Sequence, residues 1–155
     1  MAKEPEFDLK AAHRYFAANC FNQAWDLIDK NPRTPDEDEQ MIRLSLASVY
    51  HWTQRPDCTP ETMSIGYWQN SRVYALVGQA VNARHYGLLA LSSAQNEGVL
   101  PFALGYAFEA LARAEALAGN DAQKASYLTQ ARQVAETLAD PETKKQLLAD
   151  LDTIR

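Results

Sequence analysis

A weak internal repeat constrains this chain more than any other feature. Tyr74, Val77, Gly78 and Val81 recur, with the same spacing, as Phe108, Leu111, Ala112 and Glu115. Three of the four pairs keep their character: aromatic, β-branched or leucine, and small. The interval from Tyr74 to Phe108 falls among the periods, between about 20 and 50 residues, that belong to stacked units such as helical hairpins, each leaving an apolar face for the next to cover. The repeat therefore predicts an all-α chain whose default role is that of a binding scaffold.

The rest of the sequence agrees with helices. Alternating β-branched runs are missing, and long stretches rich in Ala, Leu, Gln and Glu are separated by Gly and Pro. Seven helices are expected, stacked as antiparallel hairpins. The first covers Phe7 to Lys30, bent near Asn19 to Asn22, and ends at the Asn31-Pro-Arg-Thr-Pro35 stretch, since proline disfavours helix in the residue before it. Thr34, with Pro35 and Glu37 behind it, carries the spacing of a capping box and opens the second helix, to Gln54. That helix has apolar residues nearly all round its wheel, which predicts a place in the middle of a bundle. Thr59-Pro60 opens the third, expected to run to Ala83 with a kink at Gly66. The fourth covers Arg84 to Asn96, with Gly98 placed for a left-handed cap. The fifth runs from Pro101 to Ala118. The sixth runs to Ala139 with Asp121 as its cap, and a short seventh from Pro141 to Thr153 closes the array as a polar-faced capping helix.

At 155 residues the chain is expected to form one domain. Its formal net charge is −5, without a basic run in either half, so it lacks the electrostatic footprint of a nucleic-acid or anionic-membrane binder. No secretory signal is visible in MAKEPEFDLK, and no apolar run approaches the ~18 residues of a membrane span. The expected location is the cytoplasm. Cys20 and Cys58 form neither a CxxC pair nor a metal-ligand cluster. Two reduced thiols are expected there, with a Cys20–Cys58 disulfide as the alternative.

From Ser71 to Ala139 the chain resembles the tetratricopeptide repeat. The first copy reads Tyr74, Val77-Gly78, Val81, then Ala90 and Ala94; the second reads Phe108, Leu111-Ala112, Glu115, a Gly119-Asn120 turn, then Lys124, Leu128 and Ala131. Leu46-Ala47 and Tyr50 match part of the pattern in a degenerate hairpin spanning residues 7–54, with Arg43 in place of the aromatic. Glu115 and Lys124 depart from it. The resemblance implies close approach of paired helices at Gly78 and Ala112, and a concave surface lined by the first helix of each hairpin.

Helical geometry, at 100° per residue, picks out the side chains on that surface. They are Trp68, Arg72, Ala75, Gln79 and Asn82 on the third helix, Phe102, Tyr106, Glu109, Arg113 and Ala116 on the fifth, and Met41, Leu44, Ser48 and His51 on the second. Arginine and tryptophan are the types most often found at binding hot spots, and arginine grips a carboxylate through two parallel hydrogen bonds. The candidate binding set is thus His51, Trp68, Arg72, Gln79, Asn82, Tyr106, Glu109 and Arg113. Structural roles compete with this reading: Glu109 and Arg113, four apart, suit an intrahelical ion pair, Trp68 and Phe102 suit the core, and His51 suits a hydrogen-bonded core histidine.

Catalytic and metal motifs are missing: no Gly-rich phosphate loop, no HExxH, no G-x-S-x-G, and three histidines without ligand spacing. The sequence therefore predicts a non-enzymatic module, without cofactor or metal, that binds a protein or peptide. The first alternative is a small-ligand sensor or rare enzyme with a pocket near His51, Trp68 and Arg72. The second is a structural protein that self-associates into a homo-oligomer.

Overall fold

The computed structural model describes residues 6–155, and all seven helices expected from the sequence are present. The first five residues, on which the reading of the N-terminal stretch partly rests, lie outside the described residues. No strand occurs among the described residues, and none of their helices is long and apolar enough to cross a membrane. Both cysteines are thiols rather than a disulfide. The chain divides into two compact units, Met1–Thr59 and Pro60–Arg155.

The first unit is a helical hairpin of α1 (Leu9–Ile28) and α2 (Pro35–Thr53). The Asp8 carboxylate accepts from the backbone N–H groups of Lys10 and Ala11, which fixes the start of α1. From there α1 runs unbroken through the stretch where a bend was expected. Thr34 and Glu37 form the reciprocal capping box that opens α2. The fully buried stripe of α2 is narrow and partly polar: Met41, Ser45 and Ser48. Ser48 donates to the Ala17 carbonyl at 2.7 Å, bringing α2 close against α1. The all-round apolar pattern therefore does not bury the whole helix, and Tyr50 stands 58% exposed.

The second unit holds α3 (Pro60–Leu76), α4 (Ala80–Ala94), α5 (Pro101–Leu117), α6 (Asp121–Thr137) and α7 (Pro141–Asp152). Each helix packs on the next, and α5 also packs on both α3 and α7. Small residues set these approaches. Ser64 and Ser71 of α3 donate to the carbonyls of Ala90 and Ala83 in α4. A Cβ added at Gly87 would lie 2.9 Å from Leu111 Cδ2, and one at Gly105 would lie 2.6 Å from Leu147 Cδ2.

The structural repeat in this unit runs from Pro60 to Pro101, a longer interval than the one from Tyr74 to Phe108. Pro60 and Pro101 open α3 and α5, Leu76 and Leu117 end them, and the turns that follow hold Gly78 and Gly119 at φ +80° and +71°. In the same register Tyr86, Ala90 and Ala94 of α4 correspond to Tyr127, Ala131 and Ala135 of α6. Gly78 is thus a turn residue rather than a close-packing one: a Cβ built there meets nothing within 4 Å, and its left-handed backbone is what favours glycine. The turn ends α3 at Leu76, well before the expected end at Ala83. Val81, expected in the packing face, is 75% exposed on α4. In the next turn Asn120 rather than Asp121 takes the N-cap position of α6.

Glu115 shows why a charge stands where the repeat pattern asks for an apolar residue. It is 4% exposed and receives two hydrogen bonds from Arg84 of α4, at 2.5 and 2.8 Å. The Asn120 amide adds a third at 3.0 Å. A paired fork of this kind satisfies a buried carboxylate where a lone one is costly. It also joins α4 to α5 and to the turn after it.

Candidate functional site

The Pro60-to-Pro101 register puts Trp68 and Arg72 of α3 at the same hairpin positions as Glu109 and Arg113 of α5. Since α3 and α5 are the first helices of successive hairpins and pack together, these four side chains meet. Glu109, 1% exposed, is their centre. Trp68 donates through Nε1 to its Oε2 at 2.8 Å. Arg113 donates through Nε to Oε1, and Arg72 Nη1 approaches the same oxygen at 3.5 Å. The buried carboxylate is thus matched by two guanidinium groups and an indole N–H, the partnering that a buried charge requires.

The C-terminal end of α7 completes the cluster. Arg113 Nη2 donates to the Asp150 carbonyl at 2.9 Å and to the Thr153 hydroxyl oxygen at 2.6 Å. Tyr106 donates to the Asp150 carboxylate at 3.2 Å, and its ring meets Trp68 edge-on at a centroid distance of 5.0 Å. Burial and the neighbouring Asp150 charge push the Tyr106 phenol well above its ordinary pKa, so it remains a donor throughout the physiological range. The ion pair between Glu109 and Arg113 therefore exists, and it belongs to a larger network that ties α3, α5 and α7 together.

Beside this network lies a pocket of about 450 Å³. Its lining combines Arg72, Arg113, Arg155 and Thr153 with the aliphatic Ala75, Leu76, Ala116, Leu117 and Ile154. Three arginines thus line the space together with five aliphatic residues. The nearby carboxylate, Glu109, is buried and occupied.

The remaining candidates lie elsewhere. Gln79 sits in the turn after α3 as the N-cap of α4, and its side-chain oxygen accepts from Asn82 Nδ2 at 2.6 Å. Both are exposed and neither lines the pocket. Their expected place on the α3 face is lost because the helix ends at Leu76, before it reaches them. His51 belongs to the first unit, where its ring partner is His13, at 2.8 Å between the two Nδ1 atoms. Phe102 and Trp68 pack beside a buried alanine cluster of Ala90, Ala94, Ala103 and Ala107.

Sequence reasoning missed the contribution of α7: Asp150, Thr153, Ile154 and Arg155. A capping helix that follows the hairpins takes the place of the next first helix, and the spacing of the helix-opening prolines is the signal that points to it. Neither a protein-family model, nor a curated protein sequence, nor a solved structure matches this chain.

Proposed function

We propose that this chain is a non-enzymatic interaction module of tetratricopeptide-like helical hairpins, and that the pocket between α3, α5 and the end of α7 takes a peptide segment bearing a carboxylate. The observation that carries the reading is the composition of the pocket lining: three arginines together with five aliphatic residues. Guanidinium groups supply paired donors to a carboxylate. The aliphatic lining suits the side chain next to it. A volume of about 450 Å³ falls within the usual range of ligand pockets, about 300–1,000 Å³. The network behind the pocket supports the same reading, because Arg113 is held by Glu109, Asp150 and Thr153 before any ligand arrives, and preorganised groups lose less entropy on binding.

Arg113 is a poor residue for testing this, since replacing it also unties α7. Arg72 and Arg155 are better. A fluorescent peptide pool ending in aliphatic residues is titrated in matched forms, with a free and with an amidated C-terminus. Binding is expected for the free form, at least tenfold weaker for the amide, and at least tenfold weaker for Arg72→Gln/Arg155→Gln. Equal affinity for both peptide forms contradicts the carboxylate clamp.

A further inference from the structure

A second pocket lies in the same unit, at the other end of α5. Its volume is about 400 Å³. Leu100, Pro101 and Phe102 line it from the start of α5, and Leu138, Ala139 and Asp140 from the turn between α6 and α7. Thr143 adds the first turn of α7. The backbone N–H of Leu100 donates to the Glu61 carboxylate of α3 at 3.0 Å, which fixes the chain there while the Leu100 side chain stays 55% exposed.

The two pockets stand at opposite ends of one seam between α5 and α7. On α5, Phe102, Tyr106, Glu109, Arg113 and Ala116 recur at steps of three and four and so share one stripe. Phe102 lines the second pocket, and Arg113 and Ala116 line the arginine pocket. On α7, Thr143, Gln146 and Asp150 make a matching stripe that leads to Thr153. Thr143 belongs to the one pocket and Thr153 to the other. The hydrogen bond from Tyr106 to Asp150 joins the stripes between them. From Phe102 to Arg113 is about three helical turns, roughly 16 Å. An extended peptide advances about 3.3 Å per residue and covers that distance in about five.

We propose that the second pocket takes an apolar side chain, with a basic residue beside it, about five residues before the carboxylate held by the arginine pocket. The inference rests on that reading of the arginine pocket. Charge fixes the direction of the peptide. Three arginines line one end of the seam; at the other, Asp140 is the one charged residue of the lining among the described residues. The hydroxyl and the backbone N–H of Thr143 both donate to Asp140, and these bonds hold its carboxyl below the ordinary carboxylate range. Asp140 is therefore ionised at neutral pH, where it attracts a lysine or arginine and repels an acidic residue. The apolar lining beside it suits an aromatic or large aliphatic side chain. A peptide already held at one end meets the second pocket at high effective concentration, so even a modest contact there tightens binding.

The test is fluorescence anisotropy with Gly/Ser peptides that end in leucine with a free carboxyl group. The reference peptide carries Phe five positions before that leucine and Lys ahead of the Phe. Variants replace Phe by Ser, replace Lys by Glu, shorten the spacer to two residues, or amidate the C-terminus. On the wild type, Phe is expected to tighten binding at least tenfold over Ser and Lys about threefold over Glu, and the short spacer to lose the gain from Phe. Leu100→Asp should cut that gain below about threefold, and Asp140→Asn, which keeps the helix cap, should abolish the preference for Lys, both with helicity unchanged. A gain from Phe that survives the short spacer or Leu100→Asp overturns the second subsite. An acid-over-amide preference with no gain from Phe also overturns it and leaves the arginine clamp standing. Equal binding of the acid and the amide contradicts the clamp itself, and this inference with it.

Discussion

Removing the Glu109 carboxylate is expected to cost more than any surface charge in this chain. Glu109 is 1% exposed, and the side chains of its partners Arg72 and Arg113 are 23% and 15% exposed, so solvent screens the cluster little. In Glu109→Ala the Trp68 Nε1–H loses its acceptor. An unsatisfied buried donor costs about 1–3 kcal/mol. Arg72 and Arg113 then lose the buried carboxylate they share, and breaking a buried pair on one side costs about 3–5 kcal/mol in all. At an m-value of about 2 kcal/mol/M the urea midpoint of the second unit falls by about 1.5–2.5 M. The assay is urea denaturation followed by the fluorescence of Trp68, with Trp25 and Trp52 replaced by Phe. Glu109→Gln separates charge from shape: its amide oxygen still accepts from Trp68, so it should recover part of the loss but not the ion-pair component. A double-mutant cycle with Arg113→Gln should give a coupling of at least about 1.5 kcal/mol, within the range for interacting neighbours. A loss below about 1 kcal/mol in Glu109→Ala would place the cluster with ordinary surface pairs and rule out a buried network that ties the helices together.

Three further outcomes rest on the same geometry. Arg84 holds the Glu115 carboxylate below its ordinary pKa; the stability this gives is present above the unfolded value near 4.5 and lost as pH falls through the lower folded value, so Glu115→Gln should flatten the acid limb of a stability–pH curve. Burial, with His13 beside it, lowers the pKa of His51 below 6.5; the folded hairpin binds fewer protons than the unfolded one in that window, so stability of the first unit should fall as pH drops below about 6.5, and His51→Gln should flatten the slope. Gly105→Ala would place a Cβ 2.6 Å from Leu147 Cδ2 and 3.3 Å from Val134 Cγ1; overpacking of about 1–3 kcal/mol outweighs a helix-propensity gain of about 1 kcal/mol, so thermal denaturation should show a net loss, and Leu147→Ala should cost less on the Gly105→Ala background than on the wild type.

Helix starts are legible in this sequence because they are local. The Thr34–Glu37 box and the prolines at 35, 60, 101 and 141 each stand in the first helical turn, where their signals act within four residues. The repeat register is harder to read, since glycine serves both close packing and left-handed turns, and the sequence pattern places Gly78 in the wrong one. The aromatic–apolar–small match of Tyr74 with Phe108 is shorter by two helical turns than the spacing of Pro60 and Pro101. A slip of one heptad rotates a helix by only about 20°, so the helix-wheel faces survive the error. That is why Trp68, Arg72, Tyr106, Glu109 and Arg113 fall together on α3 and α5 as expected, while Gln79 and Asn82, beyond the helix end, do not. The role of Asp150, Thr153 and Arg155 depends on how α7 docks. No local pattern encodes that, although the spacing of the helix-opening prolines does.

Carboxylate recognition by the arginine pocket underlies the whole functional reading. It is measured as the affinity of one aliphatic-ended peptide in its free-acid and amidated forms, read by fluorescence anisotropy at two salt concentrations. The free acid is expected to bind at least tenfold more tightly, added salt to narrow the difference, and Arg72→Gln/Arg155→Gln to abolish it while helicity is retained. Identical binding of the acid and the amide, or an acid preference that survives loss of both arginines, would overturn the reading.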